Sequence, residues 1–166
     1  MRDGPRREGS LKVRVIRGRN LAIRDIRSSD PYVTLSWRNK RVKTKVMKKN
    51  VNPEWNEDLT LFVQDPSINI KLEVFDKDTF TPDDPMGNAE IDIKPLVEAG
   101  RKELGTLMNN GIIRIVSPNL RNCLVGESKI HIYNGKVVQD MILRLKDVEC
   151  GEVELRLEWV NNMRDR

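Results

Sequence analysis

Of the 166 residues only 5% are aromatic, two are cysteine and one is histidine. No apolar run approaches the roughly 18 residues of a membrane-spanning helix. Each shortage removes a class of protein. Two cysteines, Cys123 and Cys150, are too few for a disulfide framework and suit a reducing cytosol. The lone histidine, His131, lies far in sequence from any convincing nucleophile, so no Ser-His or Cys-His dyad can be named. His131, Cys123 and Cys150 also lack the paired spacing of a zinc site. An enzyme is therefore not expected. No helix-turn-helix, zinc-finger or aromatic stacking pattern accompanies the basic segment, so nucleic acid is not expected as a partner. The N-terminus is basic without an apolar stretch and does not read as a secretory signal.

What the chain has is charge, 33% of its residues, and that charge is segregated. The net value of +5 points to an acidic partner without identifying it. Six of the ten residues from Lys40 to Lys49 are basic, whereas aspartates gather in two short turn-like segments.

The dominant pattern is alternation with period two, the mark of half-buried strands. Leu11, Val13 and Val15 alternate with Lys12 and Arg14. Comparable stretches surround Val33–Trp37, Arg41–Val46, Leu59–Val63, Ile70–Val74, Ala89–Ile93, Met141–Leu145 and Val153–Trp159. Eight short strands, each with one apolar face, predict an all-β antiparallel sandwich. Trp37, Trp55 and Trp159 read as core or near-core residues.

About 45 residues separate the strand ending at Ile93 from the one around Met141, too many for a plain connection. Ile112–Val116 and Lys129–Tyr133 read as additional strands there, and Asn134-Gly135 as a hairpin turn, since a type I′ turn needs positive φ twice. A short turn or helix is expected near Pro95–Glu103. The division is then residues 1–10 as a flexible tail, 11–160 as one domain with an insertion at approximately 95–138, and 161–166 as a second tail.

The chemistry sits in Arg24–Tyr32 and Asp76–Gly87. Calcium takes six to eight oxygen ligands in flexible geometry. Asp76 and Asp78, one residue apart, can both turn inward, and Asp84 can return from the far side of the same loop. Asp25 and Asp30 would close the cage if the two loops are neighbours. Aspartates are also common turn residues, and Asp83 alone is read that way. Five clustered carboxylates, however, repel unless a cation neutralises them. An EF-hand is excluded by spacing: counting from Asp76, its sixth position is Thr81 and its twelfth Gly87.

Asn20-Leu21, Asp25, Ser29-Asp30-Pro31-Tyr32-Val33, Asn52-Pro53-Glu54-Trp55-Asn56-Glu57, Asp76-Lys77-Asp78 and Asp84 before Gly87 together resemble a C2 domain. The chain opens on the strand leading into the first aspartate loop, which resembles the type II topology. The resemblance implies an eight-stranded C2 β-sandwich with an inserted segment before the penultimate strand. It implies that Asp25, Asp30, Asp76, Asp78 and Asp84 chelate two or three Ca²⁺ ions, helped by the backbone carbonyls of Arg24 and Lys77. The family's phosphoinositide-binding lysine cluster maps onto Lys43 and Lys45. The Arg-Ser-Ser-Asp-Pro-Tyr run, the insertion and the ending Asp147–Glu152 are similar to the plant C2-domain abscisic-acid-related proteins and small C2-domain GTPase-activating proteins. That likeness implies recruitment of abscisic-acid receptors to the plasma membrane and, for some members, activation of an unconventional GTPase.

Setting the five cage aspartates aside leaves 30 basic residues against 20 acidic ones. Filling the cage with cations would unmask a basic body, an electrostatic switch toward anionic phospholipid. Arg41, Lys43 and Lys45 form a basic stripe on one expected strand face. Ile26 and Phe80 stand at the expected loop tips, placed to enter a bilayer. The expected location is the cytoplasm, at the inner face of the plasma membrane when calcium is bound, with the nucleus as a further site. A calcium-independent interaction scaffold, or a GTPase activator with no membrane requirement, is the competing expectation.

Overall fold

A computed structural model describes residues 8–101 and 111–161. Its strands are β1 (Gly9–Arg19), β2 (Pro31–Trp37), β3 (Lys40–Lys43), β4 (Glu54–Val63), β5 (Ile70–Asp76), β6 (Asp84–Ile91), β7 (Ile112–Val116), β8 (Ser128–Tyr133), β9 (Lys136–Arg144) and β10 (Glu152–Asn161). One helix, α1 (Lys94–Arg101), follows β6. All pairings are antiparallel, in a six-stranded sheet of order β4-β1-β10-β9-β8-β7 and a four-stranded sheet of order β3-β2-β5-β6. This is the expected sandwich.

The alternation in the sequence becomes the two inner faces. Leu11, Val13 and Val15 of β1, Val33 and Leu35 of β2, and Leu72 and Val74 of β5 are fully buried. Each such side chain contributes about 1.5–3 kcal/mol through burial. Met86, Ile91 and Ile93 from β6 and its end, and Leu96 of α1, close the same core. The Asp92 side chain accepts the Lys94 amide at 3.0 Å, fixing the start of α1. No helix among the described residues is long and apolar enough to cross a membrane.

Three boundaries differ from the sequence reading. Gly9 and Ser10, assigned to the tail, open β1, because each is paired on both sides, to Asn161 and Val160 and to Val63 and Phe62. Within the tail assignments, residues 1–7 and 162–166 lie outside the described residues. β3 stops at Lys43, short of the expected Val46. There the Thr44 hydroxyl accepts the Val33 amide at 2.9 Å, putting a side chain where a carbonyl would continue the ladder. β9 begins at Lys136, so the insertion's expected end at 138 falls inside a strand.

The reason for that last shift is the hairpin. Asn134 (φ 50°) and Gly135 (φ 74°) form the anticipated turn, and Tyr133 pairs with Lys136 across it. β8 thus pairs with β9, and β7 pairs with β8. The insertion widens one sheet of the sandwich from four strands to six.

Candidate metal centre

Three connections build the site. The first runs from β1 to β2 and carries Asp25 and Asp30; the second joins β5 to β6, between Asp76 and Asp84; the third, β9 to β10, lies beside them. The ladder itself brings the first two together. Asp76 pairs with Pro31 on one side and with Asp84 on the other. Carboxylates directly opposite one another destabilise a bare sheet.

Two overlapping triads result. Carboxylate oxygens of Asp25, Asp30 and Asp76 lie within 4.8 Å of one another, as do those of Asp76, Asp78 and Asp84. Asp76 is the shared member and is fully buried. Its Oδ1 accepts the Asp30 amide at 2.7 Å, but its Oδ2 has no hydrogen-bond partner in the protein. Burial first, and then the charges of Asp25, Asp78 and Asp30, push the Asp76 carboxyl above the usual aspartate value, against the pull of the Asp30 amide. Asp78 is also raised, by desolvation and then chiefly by Asp84. An unpartnered buried carboxylate oxygen amid carboxylates fits a hard cation such as Ca²⁺.

The surrounding loops are held by fixed hydrogen bonds. The buried Ser29 hydroxyl donates to the Ala22 carbonyl at 2.8 Å and accepts the Arg24 amide at 2.9 Å. The Lys49 amide donates to Asp30 Oδ1 at 2.7 Å, and the Lys77 amide to the Asp30 carbonyl at 3.0 Å. Asp83 serves as the turn residue anticipated from the sequence. It accepts the Asp78 amide at 2.9 Å and the Tyr32 hydroxyl. Those two hydrogen bonds hold its carboxyl below the ordinary value, while burial and then Asp83 push Tyr32 up to about 12. Arg24 and Lys77, expected to offer backbone carbonyls, flank the cage and send their side chains to Glu149 and Asp83.

Ile26 and Phe80 are almost completely exposed, at 98% and 97%. Both stand in the aspartate loops. Arg41 and Lys43 lie on the outer face of the four-stranded sheet, over Phe75 and Tyr32 at 5.5 and 5.9 Å from the ring centroids. Those two rings stack at 5.7 Å. Lys45 falls beyond the end of β3, its amide donating to Glu57 of β4 and its carbonyl accepting Trp55 Nε1. The stripe is thus a strand pair plus a neighbour clasped to the other sheet. Sequence reasoning missed Ser29, Tyr32 and Glu149 as builders of the site. The Ser29-Asp30-Pro31-Tyr32 run was a signal for the first two, but nothing near Glu149 announced its partner 125 residues away.

Comparison with known proteins places this geometry. A C2 domain family model matches residues 9–107, a span holding all five aspartates. The rice protein "GTPase activating protein 1" is 56% identical over 153 residues, covering 92% of each chain. The Arabidopsis "Protein C2-DOMAIN ABA-RELATED 4" is 52% identical, covering 92% of this chain and 86% of its own. Among solved structures, a C2 domain of plant Extended Synaptotagmin 1 aligns with a TM-score of 0.64 at 21% identity, covering 94% of this chain and 97% of that one. A calcium-bound pair of C2 domains from Extended Synaptotagmin 2 aligns with a TM-score of 0.60 at 24% identity, covering 91% of this chain and 45% of that one. The sandwich and these matches agree: the chain belongs to the C2 domain family, in the group that includes the plant C2-domain ABA-related proteins.

Proposed function

We propose that this chain is a calcium-dependent phospholipid-binding module that docks on anionic membranes and brings signalling partners there. The observation carrying this reading is Asp76 Oδ2, buried without a donor at the corner shared by two carboxylate triads. Asp25, Asp30, Asp76, Asp78 and Asp84 would hold two or three ions, with the Arg24 and Lys77 carbonyls as supplementary ligands. Bound Ca²⁺ would supply positive charge and coordination positions for lipid phosphate oxygens.

The protein's own residues do the rest. Five ionised aspartates at the loop end repel an anionic bilayer until they are neutralised. The hydrogen bonds of Ser29 and Asp83 keep the loops in place throughout. Ile26 and Phe80 then enter the interface, each worth about 1.5–3 kcal/mol if fully buried. Arg41, Lys43 and Lys45 face lipid phosphates from the side, at about 1 kcal/mol apiece. Relatives named "GTPase activating protein 1" and "C2-DOMAIN ABA-RELATED 4" are in keeping with abscisic-acid receptors and an unconventional GTPase as the partners, which the family resemblance implies. They would be met in the cytoplasm, at the plasma membrane and in the nucleus.

Sedimentation with phosphatidylserine vesicles tests the docking. Calcium should bring the protein into the pellet, chelator should release it, and Asp76→Asn with Asp78→Asn should abolish the calcium-dependent fraction. Binding that ignores both calcium and the substitutions overturns this reading.

A second reading is favoured by the rice relative bearing the name GTPase activating protein 1. The chain would then raise GTP hydrolysis by a partner GTPase in lipid-free solution, with Asp76→Asn/Asp78→Asn leaving that rate unchanged.

A further inference from the structure

A cavity of about 450 Å³ opens between the insertion and the rest of the sandwich, away from the five aspartates. Its most informative wall residue is Gln139 of β9. In the register Gln139 stands between Leu157 of β10 and Ile130 of β8, both fully buried, so it belongs to the core-facing side of the sheet. Gln139 itself is only 2% exposed. An apolar residue would satisfy that position, and a buried amide there has to find partners.

One half of the amide has them. The Ser128 hydroxyl donates its proton to the Asp140 carbonyl at 2.6 Å, so towards Gln139 it can only accept. Gln139 Nε2 donates to it at 2.9 Å. The Ser128 proton therefore fixes the orientation of the amide and commits the Gln139 carbonyl oxygen to face elsewhere. That oxygen is buried and has no partner in the protein. It calls for a hydrogen-bond donor.

The rest of the cavity narrows the donor's chemistry. Ile91, Met141 and Leu143 supply apolar wall. Among its cations, Lys94 pairs with Asp92 at 3.1 Å and Arg114 with Glu98 at 3.3 Å. Glu90 is also on the wall; Lys71, opposite it in the β5–β6 register, pairs instead with Glu73 at 3.9 Å. Arg121 is exposed and has no carboxylate partner among the described residues, and its backbone is fixed in a turn. Its amide donates to Asn119 Oδ1 at 2.7 Å in a turn braced again by Asn122. The volume is many times the roughly 30 Å³ share of one water and falls within the ~300–1,000 Å³ range of small-molecule sites.

We propose that this cavity binds a small organic anion with an apolar body and one N–H or O–H donor. The donor meets Gln139, the body lies against Ile91, Met141 and Leu143, and the negative group meets Arg121. The site is independent of calcium and lipid.

The probe is 1-anilinonaphthalene-8-sulfonate, which carries an anilino N–H, a fused aromatic body and a sulfonate. It is titrated into the full chain with chelator and no lipid, by fluorescence and calorimetry. One saturable site is expected, weakened at least tenfold by Gln139→Leu and by Arg121→Glu. In ¹H–¹⁵N spectra the perturbed amides should cluster at residues 114–124 and 139–143, sparing 25–30 and 76–84. Both variants should still sediment with vesicles in calcium. Arg121→Glu changes an exposed turn, so it carries the test should Gln139→Leu fail to fold. The proposal is overturned if the wild-type chain shows no saturable binding, which leaves water alone in the cavity. It is equally overturned if Arg121→Glu or a folded Gln139→Leu binds as the wild type does, which places the dye on general apolar surface.

Discussion

The guanidinium of Arg24 grips the carboxylate of Glu149 through two hydrogen bonds of 2.9 Å each, joining the first aspartate loop to the connection between β9 and β10. The same guanidinium reaches the Pro85 carbonyl at the start of β6, at 3.4 Å. One side chain thus ties the first connection to the third and to the first residues of β6, immediately beside Asp25.

Replacing Glu149 by Gln should therefore weaken calcium binding by roughly two- to fivefold, the range of an exposed ion pair. It removes a nearby negative charge and frees Arg24, and both effects act in the same direction. The Arg24 hydrogen bonds hold the Glu149 carboxyl down at about 2. Because the folded value is depressed, the pair's contribution is complete above the ordinary value of 4.5 and fades only as pH falls through about 2. Calorimetry at pH 7 should show weaker calcium affinity, and a melting temperature lowered only slightly because the pair is exposed.

Asp76→Asn should raise the melting temperature in chelator while removing the stabilisation that calcium confers on the wild type. The folded Asp76 carboxyl is raised above 3.8, so it holds its proton more tightly than in an unfolded chain. Ionising it costs stability as pH rises from 3.8 through the raised value, and above that the cost is complete. The amide keeps the acceptor for Asp30 without the charge. A gain of about 1 kcal/mol would appear as roughly 2–4 °C for a domain of this size. Differential scanning calorimetry with and without calcium measures both halves.

The raised carboxyls also predict the pH dependence of calcium uptake. Protons compete for the oxygens of Asp76 and Asp78, so affinity should begin to fall as pH descends toward their raised values, before unperturbed aspartates would titrate at 3.8. Calorimetric titrations between pH 7 and 4 follow this directly.

Ile26→Ser and Phe80→Ser should each lower vesicle affinity about tenfold, as expected for losing some 1.4 kcal/mol or more of apolar burial. Calcium binding without lipid should be unchanged, because neither side chain is a ligand. Lys43→Ala should behave differently, with a loss that shrinks as salt rises. Sedimentation at 50 and 300 mM salt separates the two effects.

Gly87→Ala should destabilise the fold by about 1–3 kcal/mol. Gly87 has φ +102°, and a Cβ there would lie 2.6 Å from Val148 Cγ1 and 2.9 Å from Leu145 Cβ. That close approach lets β6 meet the β9–β10 connection, where the amides of Asn88 and Lys146 each donate to the other's carbonyl. Chemical denaturation should show a lower midpoint with the slope unchanged.

Some of this was legible in the residues and some was not. Alternation places Leu11, Val13 and Val15 on one face because successive side chains in a strand point to opposite sides. Asn134-Gly135 announces its hairpin because few residues adopt two positive φ values in succession. The end of β3 was not legible, since it depends on a Thr44 hydroxyl reaching Val33. Nor was the insertion's role: that β7 and β8 extend a sheet depends on which edge stands free beside them.

The five aspartates are the clearest case of both. Their spacing and flanking residues, local properties of the chain, sufficed to pick them out as a set, and the structure brings their carboxylates together in two triads. Tertiary structure alone decided that Asp76 sits at the common corner of both triads, that Arg24 is secured by Glu149, and that Gln139 lines a cavity while its buried oxygen has no partner in the protein. These depend on contacts between segments up to 125 residues apart. Such contacts follow from how two sheets pack and which strand edges meet, and no short-range pattern in a sequence encodes them.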